Sequence, residues 1–390
     1  MVGPPHIGDL MKSLESNHHV KHFLLGNNII GPAGARAIAQ FSSKFPDRME
    51  TWYLAGNCVD TAGFHLMVEP FCKSTVMHSL WLKRNPLGPS SAGDLYQLIS
   101  SIPSLRTLDL DLTELGDEGT SHLFALLTKH VSDATSSPLG LRNIYLNGNG
   151  IGPKAAESIS GFIASPRCLL ESLFLSCNPI GDKGAISLSK GIETNPSLLR
   201  LTLASCGLKN AGGKSILRSL SSHPTIQTLN LGHSFATQDI NQRYNWFEDG
   251  LEVDVIHLIE QCPTLRVLNL GYTALTHPAI ETIASSIPNS TLFSYIIDSI
   301  YPAVNRPERP RIKREITATL EKNVKVVYGP EMSLSEFNDG PLRFLRNTPD
   351  VRFIDSVYRN RDMQKARRKL MMLDKWWDED DETLRNVAAS

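Results

Sequence analysis

Apolar residues along this chain recur at steps of three and then two, closed by a polar residue three positions later, in the pattern L-x-x-L-x-L-x-x-N. The first copies are Val20, Phe23, Leu25 with Asn28, then Met49, Trp52, Leu54 with Asn57, then Met77, Leu80, Leu82 with Asn85. A fourth, Leu105, Leu108, Leu110, has Thr113 in place of asparagine, and Leu141, Ile144, Leu146, Asn149 and Leu170, Leu173, Leu175, Asn178 restore it. Leu198, Leu201, Leu203 with Cys206, Ile226, Leu229, Leu231 with Ser234, and Leu265, Leu268, Leu270 with Thr273 follow. A degenerate tenth copy starts at Leu292 with Tyr295 and Ile297, and Val324 with Val326 read as a closing strand. Starts fall 28 or 29 residues apart, except for long steps from 105 to 141 and from 226 to 265 and a slightly short last one. The long steps mark insertions.

Apolar residues two apart put their side chains on one face of a short strand and the intervening ones on the other. The asparagine sits where the chain turns away and can bond backbone groups that the turn leaves unpaired. Small residues such as Gly31-Pro32-Ala33-Gly34-Ala35 or Gly181-Asp182-Lys183-Gly184-Ala185 then suit a tight turn into a helix. One unit cannot bury its apolar face alone, whereas stacked units share a continuous core. The expected fold is therefore an α/β solenoid, a horseshoe with parallel strands on its concave face and helices on its convex face. Its bounds are an N-terminal cap at 1–19, about ten repeats over 20–325, and a helical C-terminal cap or docking extension at 326–390.

These motifs resemble the ribonuclease-inhibitor-like leucine-rich repeats, which also occur in NOD-like receptors and in the activator of the Ran GTPase. The resemblance covers roughly residues 18 to 325. It implies a solenoid and is uninformative about the partner, because such proteins share architecture rather than ligands.

The residues between the core leucines should project from the concave face as a ladder of Leu24, Tyr53, Trp81, Asp109, Tyr145, Phe174, Thr202, Asn230 and Asn269. Four of its first six members are aromatic, and exposed aromatic clusters are enriched in protein interfaces. Tyr53, Trp81, Tyr145 and Phe174 are thus expected to be solvent-facing anchors for a protein partner, with Lys83, Arg84, Asp109 and Asp111 as a rim of mixed charge. The alternative is that the stripe is covered by the chain's own C-terminal region. The insertion Val131–Pro138 is small and polar, as a spacer loop is. The second, His233–Phe247, carries Phe235, Tyr244, Trp246 and Phe247, and reads equally as a contact site or a flap packed on the solenoid.

After Tyr301, a segment rich in proline and arginine interrupts the repeat, residues 312 to 323 read as helical, and a further helix is expected beyond Asp350 with Met363, Leu370, Leu373 and Trp377 on one face. It is expected to cap the solenoid's end, with docking of a partner as the alternative.

Composition adds exclusions. Thirty-nine lysines and arginines balance 40 acids, for a formal charge of -1, so no global field points to nucleic acid or an anionic membrane. The six cysteines show no C-x-x-C spacing, the residues from Met1 to Val20 lack a basic stretch followed by an apolar one, and no apolar run reaches a membrane-spanning length, so secretion and membrane spanning are not expected. A cytoplasmic protein is expected, with the nucleus as the alternative compartment. No phosphate loop, H-E-x-x-H or G-x-S-x-G is present, and His18, His19 and His22 lack further converging ligands. Neither catalysis nor a cofactor is expected. The enzyme-like alternative is GTPase activation of the Ran-activator type, through an arginine such as Arg84 or Arg243.

Overall fold

The computed structural model describes residues 2–234, 236–238, 240–302 and 309–345. Each apolar pair marked in the sequence forms a strand. They are β1 (His22–Leu24), β2 (Thr51–Tyr53), β3 (Ser79–Trp81), β4 (Thr107–Asp109), β5 (Asn143–Tyr145), β6 (Ser172–Phe174), β7 (Arg200–Thr202), β8 (Thr228–Asn230), β9 (Val267–Thr273) and β10 (Ser294–Ser299). They build one parallel sheet in sequence order from β1 to β10, so every unit pairs only with its neighbours.

A helix α1 (Gly3–Glu15) precedes β1, and between strands run α2 (Gly31–Lys44), α3 (Thr61–Cys72), α4 (Ala92–Ser101), α5 (Gly116–Ser132), α6 (Pro153–Ile163), α7 (Gly181–Thr194), α8 (Asn210–Ser221), α9 (Glu252–Gln261) and α10 (His277–Ala284). The core lies between sheet and helices. Leu80, Leu82, Leu108, Leu110, Ile144, Leu146, Leu173 and Leu175 are all fully buried there, each worth about 1.5–3 kcal/mol of apolar burial.

The asparagine ladder works across repeats. Asn85 Nδ2 donates to the carbonyls of Leu54 and Leu82 at 2.9 and 2.8 Å, while its Oδ1 accepts from the N–H groups of Asn57 and Val59, both at 3.0 Å. Asn149 and Asn178 repeat the arrangement. The residue before the ladder position is left-handed at Asn27, Gly56, Arg84, Leu112, Gly148, Cys177 and Ser205, and at Gly56, with φ 64°, a Cβ would lie 2.3 Å from Asn27 Oδ1, so a side chain there would force Asn27 to move. Helix starts are stapled similarly. Asp117 Oδ1 accepts from the N–H groups of Gly152 and Ala155, both at 2.8 Å, capping α6 from the preceding repeat.

Both ends of the repeat array are covered. On α1, Ile7, Met11 and Leu14 are buried, and Gly3 N–H donates to the Asn28 carbonyl at 3.2 Å. At the other end lies α11 (Arg309–Tyr328), which corrects two expectations: the helix extends beyond 312–323 at both ends, and Val324 and Val326 are helical rather than a closing strand. The location was right and the conformation was not. Asn323 Nδ2 donates to the carbonyls of Ser290 and Leu292 at 2.8 and 2.9 Å. It thereby does what hydroxyls such as Ser104, donating to Met77, and Thr291, donating to Leu265, do between repeats. Val324 beside it is fully buried, so a helix replaces the first turn of an eleventh unit.

The first compact unit runs from Met1 to Gly329 and the second from Pro330 to Ser390. In the second, α12 (Leu334–Asp339) opens on a capping box between Ser333 and Glu336, and a short 3-10 turn follows at Pro341–Phe344. The helix expected beyond Asp350 lies outside the described residues.

Candidate binding surface

The pairing register places the outward residues in rows. Leu24, Tyr53, Trp81, Asp109, Tyr145, Phe174, Thr202, Asn230, Asn269 and Ile296 stand opposite one another strand by strand, which is the ladder the alternation predicts with Ile296 added.

Their exposure is not as expected. Tyr53 and Trp81 are each 6% exposed, Phe174 7% and Tyr145 0%, so the reading of these four rings as solvent-facing anchors is corrected. Part of the reason is the concave geometry, which converges large side chains. Ring centroids lie 5.9 Å apart for Tyr53 and Trp81, 5.5 Å for Trp81 and Tyr145, and 4.2 Å for Tyr145 and Phe174, the last pair being parallel within 4°. Trp81 and Tyr145 meet above the intervening strand, and Asp109 on that strand is buried. The Trp81 indole N–H is buried and meets no acceptor among the described residues.

The expected charged rim divides. Asp111 is buried: its Oδ1 accepts from Asn147 N–H at 2.8 Å, its own N–H donates to Asp109 Oδ1 at 2.9 Å, and Lys83 Nζ stands 3.3 Å from its Oδ2. Asn147 and Ser176 continue the chain, accepting from the N–H groups of Ser176 and Ala204 at 2.7 and 3.1 Å. Asp111 thus ties neighbouring repeats together, and Asp109, buried behind it, braces the turn after its own strand rather than lining a rim. Lys83 is half-buried and Arg84 exposed, and Arg84 donates to Asn27 Oδ1 at 3.0 Å.

The second insertion is a flap. Its true ladder residue is Asn245 and not Ser234: Asn245 Nδ2 donates to the carbonyls of Leu203 and Leu231 at 2.8 and 2.7 Å, and Oδ1 accepts from the N–H groups of Cys206 and Leu208 at 2.9 and 3.0 Å. Phe247 is buried, Ser205 and Thr237 hydroxyls meet at 2.6 Å, and Ile240 comes close enough to Gly148 that a Cβ there would lie 3.3 Å from it. The flap therefore folds back along the rim where β5 to β8 end.

Exposed aromatic surface gathers at the rim beyond β8 and β9. Tyr244 is 45% and Tyr272 60% exposed, and the exposed His233 ring lies 6.4 Å from Tyr244 and 5.5 Å from Tyr272. Alternation from Leu268 and Leu270 turns Tyr272 inward. Gly271, left-handed at φ 66°, bulges the strand, shifts the register against β10, and turns Tyr272 out and Thr273 in. That glycine was the available signal.

Among the described residues no three histidine, cysteine, aspartate or glutamate side chains converge as metal ligands, and no helix is long and apolar enough to cross a membrane. His18 and His22 meet Arg48 and Thr51, each at 3.1 Å. All six cysteines are free, and burial pushes the Cys168 and Cys206 thiols up to about 11 and about 12, away from thiolate reactivity.

Comparison with known proteins agrees with this architecture. A family model described as Leucine Rich repeat matches residues 16–39, 101–123, 168–189 and 194–217. The ribonuclease inhibitor of Sus scrofa is 26% identical over 164 residues, 42% of this chain, and the match spans only 34% of that protein's length. The leucine-rich-repeat-containing protein LegL7 from Legionella pneumophila aligns over 76% of this chain and 98% of its own, at 14% identity with a TM-score of 0.39. The repeat matches and the ten-stranded parallel sheet show that the chain carries leucine-rich repeats, and over part of its length these are similar to those of the ribonuclease inhibitor.

Proposed function

We infer that this protein is a non-catalytic recognition scaffold that binds a protein partner through the concave side of its solenoid. The observation that carries the reading is the exposed trio of His233, Tyr244 and Tyr272 at the rim, since surface aromatics of this kind anchor protein interfaces. Lys83 and Arg84 supply charge farther along the same side. Tyr53, Trp81, Tyr145, Phe174, Asp109 and Asp111 form a rigid floor against which a partner can order without moving the scaffold.

The test compares proteins captured from the native source by the wild type, by a Tyr244→Ala/Tyr272→Ala double variant, and by Lys183→Glu on α7 as a convex control. A partner held by the wild type and the control but lost by the double variant is the expected outcome. Equal capture by all three would place recognition elsewhere.

A further inference from the structure

Every strand from β2 to β9 has a neighbour on both sides, whereas β10 pairs with β9 alone. With six residues it is twice as long as each of β1 to β8, which have three, and it runs beside the seven-residue β9. Ser294 N–H donates to the Arg266 carbonyl at 3.0 Å and Ile300 N–H to the Thr273 carbonyl at 2.9 Å, so even-numbered residues turn toward β9. In a parallel sheet the alternate residues then turn their backbone groups outward. These are Tyr295, Ile297 and Ser299; Ser299 N–H donates to Asp298 Oδ1 at 2.9 Å, and no described residue bonds the outward N–H and C=O groups of Tyr295 and Ile297.

The terminal helix does not cover this edge. The bonds from α11 reach Ser290 and Leu292, ahead of the strand, and the Tyr328 ring packs on Phe293 at 5.9 Å. Ile296 remains 50% exposed, with Ile300 and Tyr301 exposed beyond it. Natural proteins blunt free edges with lysine, proline or inward charges. In β10 the only charge is Asp298.

We propose that the β10 edge pairs with β10 of a second copy of this chain, antiparallel about a two-fold axis through Ile296. An unpaired edge is complementary only to extended backbone, and a two-fold axis is the commonest way for a chain to use one patch twice. In this register Tyr295 faces Ile297 of the second copy and Ile297 faces its Tyr295, forming about four backbone hydrogen bonds in the pattern of an antiparallel pair. Ile296 meets its own counterpart, and Asp298 meets Ser294, so no like charges oppose. The register is self-complementary.

Sedimentation velocity of the full chain over a concentration series is the test, with Ile296→Lys and Ile296→Cys alongside. The wild type should move from monomer to dimer. I296K should remain monomeric with its thermal transition unmoved, because the side chain is exposed, and I296C should give a disulfide-linked dimer on mild oxidation that the wild type, with its exposed Cys58, does not. A wild type that stays monomeric, a dimer that I296K leaves intact, or growth beyond two copies would each overturn the proposal, since two-fold edge pairing closes at the dimer.

Discussion

Trp81 and Tyr145 sit on strands that are not neighbours, yet their ring centroids are 5.5 Å apart and Asp109 is buried on the strand between them. Rings standing upright on alternate strands would be separated by about two strand spacings, roughly 9.6 Å. They have leaned together, so each is held by packing. Trp81→Ala should lower unfolding free energy by about 3 kcal/mol or more. Trp81→Phe should cost about 1 kcal/mol or less, because losing an N–H without an acceptor offsets part of the lost ring area. Chemical denaturation of both variants checks this, and an alanine as stable as the wild type would show the ring to be a free surface group.

His223 supplies a pH signature. It is 3% exposed and its Nδ1 accepts from the N–H groups of Thr225 and Ile226 at 3.3 and 3.2 Å, the role Asn195 plays toward Ser197 and Leu198 one repeat earlier. Burial pushes its pKa down from 6.5 to about 4. The unfolded chain therefore binds a proton between pH 6.5 and 4 that the folded chain refuses, and folding stability should fall as pH drops through that window. The loss is on the order of 3 kcal/mol. His223→Asn should flatten that part of the stability profile measured by denaturant titration, and an unchanged slope would mean the imidazole is not the group responsible.

Asn245 gives a sharp test of the flap. Replacing it by alanine strands the carbonyls of Leu203 and Leu231 and the N–H groups of Cys206 and Leu208, at a cost of about 3 kcal/mol or more for several unpaired buried groups. Gln238→Ala, on the exposed part of the same loop, should stay within about 0.5 kcal/mol. Thermal melts of the pair would separate a structural asparagine from a tolerated insertion.

The strands and their register were legible because core leucines two apart admit only one inward face, and the observed pairing aligns the ladder from Leu24 to Asn269 strand for strand. Exposure was not legible. Alternation assigns a side of the sheet, while burial depends on how far rings such as Tyr145 and Phe174 lean across it. Ser234 was mistaken for a ladder residue because the insertion interrupts the repeat between Leu231 and its asparagine, and spacing carries no information on which side of the motif an insertion falls. Val324 was misread as strand because an apolar residue closing an open core satisfies it equally well from a helix.

The last prediction concerns that closure. Without α11 the carbonyls of Ser290 and Leu292 lose their donor Asn323, and the apolar surface beneath Leu320 and Val324 opens to water. A terminal repeat cannot be left so, since each unit buries its core only against the next. Ending the chain at Tyr301 should lower the melting temperature and promote association through the uncovered end, as apolar area returns about 25 cal/mol per Å² when covered. Ending it at Gly329, where the first compact unit closes, should preserve one cooperative transition close to that of the full chain. Val324→Asp in the full chain should reproduce the loss seen on ending at Tyr301, because a buried unpaired carboxylate expels the helix. Calorimetry of the three proteins decides: equal melting temperatures for the chains ending at Tyr301 and at Gly329 would show that α11 contributes nothing to closing the solenoid.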